Sequence, residues 1–302
     1  MKRSVFILFF VCCFSAVSAV SSFAQDIPFT IEKGFIVVPA KIQKTKPVEV
    51  VLATGMYMSS IEGQFDKYGL TAAYTAEGIV TGRNDRTISF VSVSDIVVGE
   101  AKPTSLNLAL NSPLNASKQL GREIFAILGV DFFRGKILQF DFNKKVVRFL
   151  DKSPFSSPKE GTTTENGITR MTFEISSLTR SPFAPESAVP IVEGILFNDK
   201  KVRTLLNTGV GTPVMVSPGT VKDLALEPVP EKGKAVIGKV KSIKIFDLAL
   251  DDIPAVFYGK DAGFEQRESK YEAVFGVALL KNFTATFDFK EKVVILERPA
   301  QK

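Results

Sequence analysis

From about residue 25 onward, apolar and polar positions alternate in short runs rich in β-branched and aromatic residues. The clearest are Phe35-Ile36-Val37-Val38-Pro39-Ala40, Val48-Glu49-Val50-Val51-Leu52, Thr87 to Val93, and Val146-Val147-Arg148-Phe149. Turn formers such as Lys44-Thr45-Lys46-Pro47 and Gly82-Arg83-Asn84-Asp85 separate them. Runs of this length and composition, broken at such intervals, predict strands of a mainly β protein. Two stretches, Ser59 to Tyr68 and Pro218 to Leu226, instead predict short helices. No heptad pattern and no phosphate-cradling glycine signature is present.

The same pattern occurs twice. Adding 154 to the numbers of Val48 to Gly55 gives Val202-Arg203-Thr204-Leu205-Leu206-Asn207-Thr208-Gly209, again a strand running into an x-Thr-Gly turn. Each copy is followed by one of the two expected helices. Adding 147 carries Ile127-Leu128-Gly129-Val130, Phe140-Asp141-Phe142 and Lys145-Val146-Val147 onto Val274-Phe275-Gly276-Val277, Phe287-Asp288-Phe289 and Lys292-Val293-Val294. Order and direction are preserved. The second copy is seven residues shorter between its two landmarks, as a trimmed hairpin would make it. Two ordered matches imply a duplicated β-rich unit. The expected division is an N-terminal lobe over 25–155, a Pro/Ser-rich linker over 156–165 and a C-terminal lobe over 166–302.

The first 24 residues have another character. Lys2 and Arg3 precede an apolar run from Val5 to Phe14, then small residues up to Ser22-Phe23-Ala24. This is the pattern of a cleavable export leader with the cut after Ala24, and the run is short for a membrane span. Both cysteines, Cys12 and Cys13, lie inside it, so the exported chain is expected to hold no disulfide and no thiol nucleophile. The formal charge of +6 becomes +4 when Lys2 and Arg3 leave. The remaining basic residues are interspersed with acids rather than gathered in a stripe, and no nucleic-acid partner is expected. The sequence contains no histidine, which excludes Ser-His-Asp and Cys-His catalysis and ordinary histidine zinc sites. No cofactor and no metal site is expected. The expected location is periplasmic or extracellular, without membrane insertion once the leader is gone.

The repeated unit resembles the retropepsin-like aspartic proteases, in the tandem two-lobe form of pepsin-like members. The resemblance covers residues 27 to 297. It is carried by Val51-Leu52-Ala53-Thr54-Gly55 and Leu205-Leu206-Asn207-Thr208-Gly209, with the apolar-apolar-Gly segments Ile127-Leu128-Gly129 and Val274-Phe275-Gly276 and the closing strands after them. It implies two β-barrel-like lobes with a few short helices, the two Thr-Gly loops meeting at the lobe interface. It also implies that Thr54 and Thr208 lock the loops together, that Gly55 and Gly209 permit the tight turn, and that Gly129 and Gly276 permit close packing.

The sequence departs from the family where chemistry is done. The family places an aspartate where this chain has Ala53 and Asn207. In the family one carboxylate activates a water while its partner polarises the scissile carbonyl. Alanine does neither, and an amide has no useful basicity. Asp131, Asp141 and Asp288 belong to segments behind the loops or on the closing strands and are poor substitutes. The expectation is a non-catalytic pseudoprotease holding an extended peptide or protein partner in the interlobe cleft. The alternatives are a hydrolase of residual or unconventional activity and an assembly protein with a vestigial cleft. Other features have plainer readings. Asn115-Ala116-Ser117 and Asn282-Phe283-Thr284 match the glycosylation sequon, Phe90 is core or groove lining, and Asp251, Asp252 and Glu231 are scattered turn acids without metal-ligand spacing.

Overall fold

The computed structural model describes residues 24–43, 46–80, 83–101, 104–110, 114–153, 160–176, 188–262, 264 and 271–299, with the backbone alone over 76–87. The expected leader up to Phe23, both cysteines, part of each expected early turn, residues 154 and 155 at the end of the expected first lobe, and linker residues 156–159 lie outside these.

The chain is mainly β, with two curled, barrel-like lobes and four short α-helices among the described residues. In the first lobe Phe35–Ile42 and Lys46–Leu52 form an antiparallel pair. Their Val and Ile side chains favour the pleated surface and are largely buried. The sheet continues through Ala126–Leu128, Ser60–Ile61, Thr104–Ala109 and Arg83–Val98, and ends at Ala72–Val80. Arg83–Val98 also returns to Phe35–Ile42 through Ala40↔Val98 and Lys41↔Val97, which closes the lobe. The second lobe repeats the plan. Thr204–Leu206, Ala273–Phe275, Val214–Val216, Leu248–Tyr258 and Ala235–Ile245 follow one another. The interrupted strand Ile191–Val192 and Ile195–Phe197 joins the two ends of that order.

The expected helix at Ser59 to Tyr68 is not formed. Ser60–Ile61 is a strand lying antiparallel to Ala126–Leu128 and parallel to Thr104–Ala109, and only Phe65–Tyr68 makes a 3₁₀ turn. Tertiary pairing that completes the barrel outweighs the local preference. The second expected helix is present as Pro218–Asp223, with Pro at its start and the Ser217 hydroxyl accepting from the Thr220 amide.

The lobes share a third sheet, in which Ile27–Pro28, Val146–Leu150 and Ile137–Asp141 continue into Thr284–Asp288, Val293–Pro299, Ile168–Glu174 and Gly161–Glu165. Residues 161–165, at the end of the expected linker, are thus a strand. It is joined to Ile168–Glu174 by Asn166-Gly167 with both φ angles positive (52° and 73°), the conformation a tight hairpin turn requires. At the centre, Ile137–Asp141 and Thr284–Asp288 run antiparallel with Gln139 opposite Thr286. These two residues are 147 apart, so each is the other's repeat equivalent, and an approximate two-fold axis passes through the pair. The Gln139 amide nitrogen lies 3.2 Å from the Thr286 hydroxyl.

Phenylalanine fills the space beneath this sheet. Phe140 of the first copy meets Phe287 of the second edge-on at 5.9 Å, and Phe133 stacks on Phe289 at 5.7 Å. All four are buried. One continuous apolar core therefore runs through both lobes, and it fixes the relative position of the loops above it.

Candidate functional site

Each copy builds the same loop with the same backbone wiring. Lys46–Leu52 runs parallel to Ala126–Leu128, and Thr204–Leu206 runs parallel to Ala273–Phe275. Past the strand ends, the Ala53 amide donates to Leu128 O at 2.9 Å and the Asn207 amide to Phe275 O at 2.8 Å. The chain then turns. Met56 N bonds Ala53 O at 3.1 Å, and Val210 N bonds Asn207 O at 3.4 Å. Short helices Val130–Phe133 and Val277–Leu280 tie in underneath, where Val130 N bonds Met56 O at 2.8 Å and Val277 N bonds Val210 O at 2.7 Å.

The loops meet through four hydrogen bonds. The Thr54 hydroxyl donates to Leu206 O at 2.9 Å and accepts from Thr208 N at 3.1 Å. The Thr208 hydroxyl donates to Leu52 O at 2.8 Å and accepts from Thr54 N at 3.0 Å. Leu52 and Leu206 are repeat equivalents, so the arrangement is its own mirror under the two-fold relation. Both threonines are fully buried, so each bond forms without competition from water.

Ala53 and Asn207 flank this lock. Ala53 is fully buried and packs with Phe35, Val37, Val51 and Ile127. Asn207 is 8% exposed. Its side-chain oxygen accepts from the Gly209 amide at 2.8 Å and from the Gly55 amide of the opposite lobe at 3.2 Å. Only the oxygen end of an amide can accept from two N–H groups, and this fixes which way the side chain is turned.

The glycines act across the interface. Neither Gly55 nor Gly209 has a positive φ, so the turn itself does not demand glycine. Space does. A methyl group on Gly55 would fall 2.4 Å from the Asn207 side-chain carbon, and one on Gly209 would fall 2.7 Å from the Ala53 methyl. Gly129 and Gly276 lie behind the loops, where an added carbon would be 2.7 Å from Met56 O and 2.1 Å from Thr212 O respectively. A second crossing joins the lobes at the turn Lys33-Gly34. There a carbon added to Gly211 would stand 2.7 Å from the Gly34 α-carbon.

The support beneath differs between copies. In the first, the Ser59 hydroxyl accepts from Gly129 N at 2.8 Å and donates to Asp131 at 2.6 Å. Asp131 also accepts from the amides of Ser59 and Phe132, both at 2.9 Å. Burial raises its carboxyl above the usual carboxylate range despite these donors. In the second, Gly276 N bonds the carbonyl of Pro213 at 3.0 Å, and Ala278 stands at the position equivalent to Asp131. The Ser59–Asp131 pair was not legible from the motif search. Comparing the copies at positions 59 and 213, and at 131 and 278, was the available signal.

Asp131 is engaged by its own loop and does not project between Ala53 and Asn207. Asp141 and Asp288 lie in the shared sheet. Asp141 accepts from Lys144 N at 3.0 Å, and Asp288 from Lys290 N and Glu291 N at 2.9 and 2.8 Å. Phe90 is buried and stacks on Tyr74 at 4.9 Å. Asn115 precedes the helix Ala116–Leu120, while the Asn282 side chain donates to Leu279 O at 2.9 Å. Asp251 and Asp252 are exposed on Leu248–Tyr258, and Glu231 pairs with Lys234 at 2.6 Å. Among the described residues no group of three or more acidic side chains is arranged to hold a metal ion, and no helix is long and apolar enough to cross a membrane.

The junction offers hydrogen-bond donors, a methyl group and a lock, with no carboxylate at either flanking position. Comparison with protein-family models and with curated proteins finds no match to this sequence.

Proposed function

We propose that the chain is an exported, aspartic-protease-like pseudoenzyme whose interlobe cleft binds an extended peptide or protein segment without cleaving it. The observation that carries this reading is the reciprocal Thr54–Thr208 lock, flanked by Ala53 and Asn207. The lock holds two loops in register at a position where paired carboxylates would do acid–base work. Neither residue present there can take a proton from water. A scaffold kept while its chemistry is deleted suits binding. The described pairings leave Ala72–Val80 at the edge of its sheet, and such an edge can receive an extended segment by strand addition.

Hydrolysis of an unstructured protein substrate from about pH 2 to pH 7 tests the reading, with and without pepstatin. No acid-range cleavage is expected from the unaltered protein. Ala53→Asp together with Asn207→Asp has the best prospect of creating it. Robust pepstatin-sensitive cleavage by the unaltered protein, undiminished by Asn207→Ala, would overturn the proposal.

A further inference from the structure

The two lobes differ where their sheets end. Ser60 and Val214, 154 apart, lie beside Ala109 and Ala255 on the next strand, and these in turn face Phe90 and Gly238. Phe90 and Gly238 are only 148 apart, so six of the seven residues missing from the second copy are lost here. In the first lobe the interval holds Ala72–Val80, which pairs antiparallel with Arg83–Val98 and stacks Tyr74 on Phe90. In the second it holds residues 224–234, with Pro228 and Pro230 and no strand. Proline has no N–H to give to a ladder. Ala235–Ile245 therefore pairs with Leu248–Tyr258 from end to end, but with Ile195–Phe197 only at Ile243, Lys244 and Ile245. Along residues 235–241 its other edge has no strand partner among the described residues.

Alternation along the strand puts Ala235, Ile237, Lys239 and Lys241 on one face, all of them exposed. Ile237 is 80% exposed and stands opposite Val256. The flanking lysines Lys232, Lys234 and Lys244 pair with Asp261, Glu231 and Asp199, whereas Lys239 and Lys241 form no ion pair among the described residues. Asp251 and Asp252, on the neighbouring strand, pair with neither. We propose that this edge docks an extended acidic segment of a partner protein, which adds antiparallel as the strand the second lobe lacks. Main-chain groups supply the pairing and side chains the selection. Read from its N-terminus, the segment meets Lys241, Lys239 and Ile237 in turn, so its recognition pattern is acid-x-acid-x-apolar. A second copy of this chain is the poorer occupant. Pairing the edge with itself about a two-fold axis gathers four lysines on one face. No residue of the loop junction takes part, so this surface stands apart from the cleft reading.

The test is selection of a displayed random nonapeptide library on the purified protein, followed by fluorescence polarisation of an enriched peptide and hydrogen exchange of its complex. Enrichment of acid-x-acid-x-apolar is expected, with amide exchange slowed over residues 235–241. Lys239→Glu with Lys241→Glu changes two exposed side chains and should leave the circular dichroism spectrum unaltered. The double variant should bind the enriched peptide about tenfold or more weakly, and should prefer a counterpart with lysine at both acid positions. No enrichment of the acidic pattern, or an affinity indifferent to the double charge reversal, would overturn the proposal. Slowed exchange confined to residues 53–58 and 207–212 would overturn it as well, while agreeing with cleft binding. A concentration-dependent dimer protected at 235–241 without peptide would make the occupant a second copy and overturn the partner proposed.

Discussion

Replacing Thr54 by valine exchanges one hydroxyl for a methyl of nearly the same size, so no cavity opens at this buried position. What is lost is the pair of bonds to Leu206 O at 2.9 Å and from Thr208 N at 3.1 Å. Each partner stays buried, and an unsatisfied buried donor or acceptor costs about 1–3 kcal/mol. The expected destabilisation is therefore about 2–6 kcal/mol, large beside the roughly 5–15 kcal/mol that holds a typical protein together. Thr208→Val should behave alike, because its bonds to Leu52 O and from Thr54 N have the same lengths within 0.1 Å. Thr54→Ser is the control. It keeps both bonds and loses a methyl, at a cost of about 1 kcal/mol. Urea unfolding followed by circular dichroism, extrapolated to water, gives the three values. If valine costs no more than serine, the hydroxyls do not hold the lobes together, and the lock must be reassigned to the shared sheet and its phenylalanines.

Three further outcomes follow from the same geometry. Gly209→Ala sets two methyl groups against each other, at the 2.7 Å separation from Ala53, and should cost about 1–3 kcal/mol by overpacking, read from the same unfolding curves. Asp131 has a folded-state pKa raised from 3.8 by burial, so its contribution is complete below that value and is lost as pH rises through the raised one. Asp131→Asn, which keeps an acceptor for Ser59 and Phe132, should gain melting temperature relative to the unaltered protein between about pH 4 and pH 7. A difference independent of pH would contradict the assignment. Tyr271 is pushed up to about 12, first by burial and then by Tyr57. Phenolate absorbance at 295 nm should therefore show a late step near that pH, absent in Tyr271→Phe.

Much of the architecture was legible because duplication writes it twice. The offsets 154 and 147 aligned the two loops, the two glycine segments and the two central strands before any geometry was known. The helix expected at Ser59 to Tyr68 shows where local reading fails. Ser60-Ile61 is too short to carry a strand signal by itself, and its conformation is set by neighbours far away in sequence. Its equivalent at offset 154, Val214-Met215-Val216, is plainly strand-like and forms the corresponding pairs. Extending the repeat through that segment would have corrected the reading. The Asn166-Gly167 turn was a strong hairpin signal that the linker assignment passed over. The reason for Gly55 and Gly209 was not legible at all, since what excludes a side chain there is the opposite lobe rather than the turn. The orientation of Asn207 likewise depends on Gly55 N, which is 152 positions away.

The two-fold relation through Gln139 and Thr286 has a consequence for how such a site can change. In an assembly of two identical chains, every substitution at the axis is made in both halves at once. A glutamine there would face a glutamine, and an alanine an alanine. Once the halves are one chain, each side is free to vary alone. The pairs Gln139 with Thr286, Ala53 with Asn207, and Asp131 with Ala278 all show that freedom used. The first lobe keeps a carboxylate behind its loop and a methyl in front, while the second keeps an amide in front and none of that support. The junction is thereby asymmetric and offers different chemistry on its two sides, as a strictly symmetric one cannot.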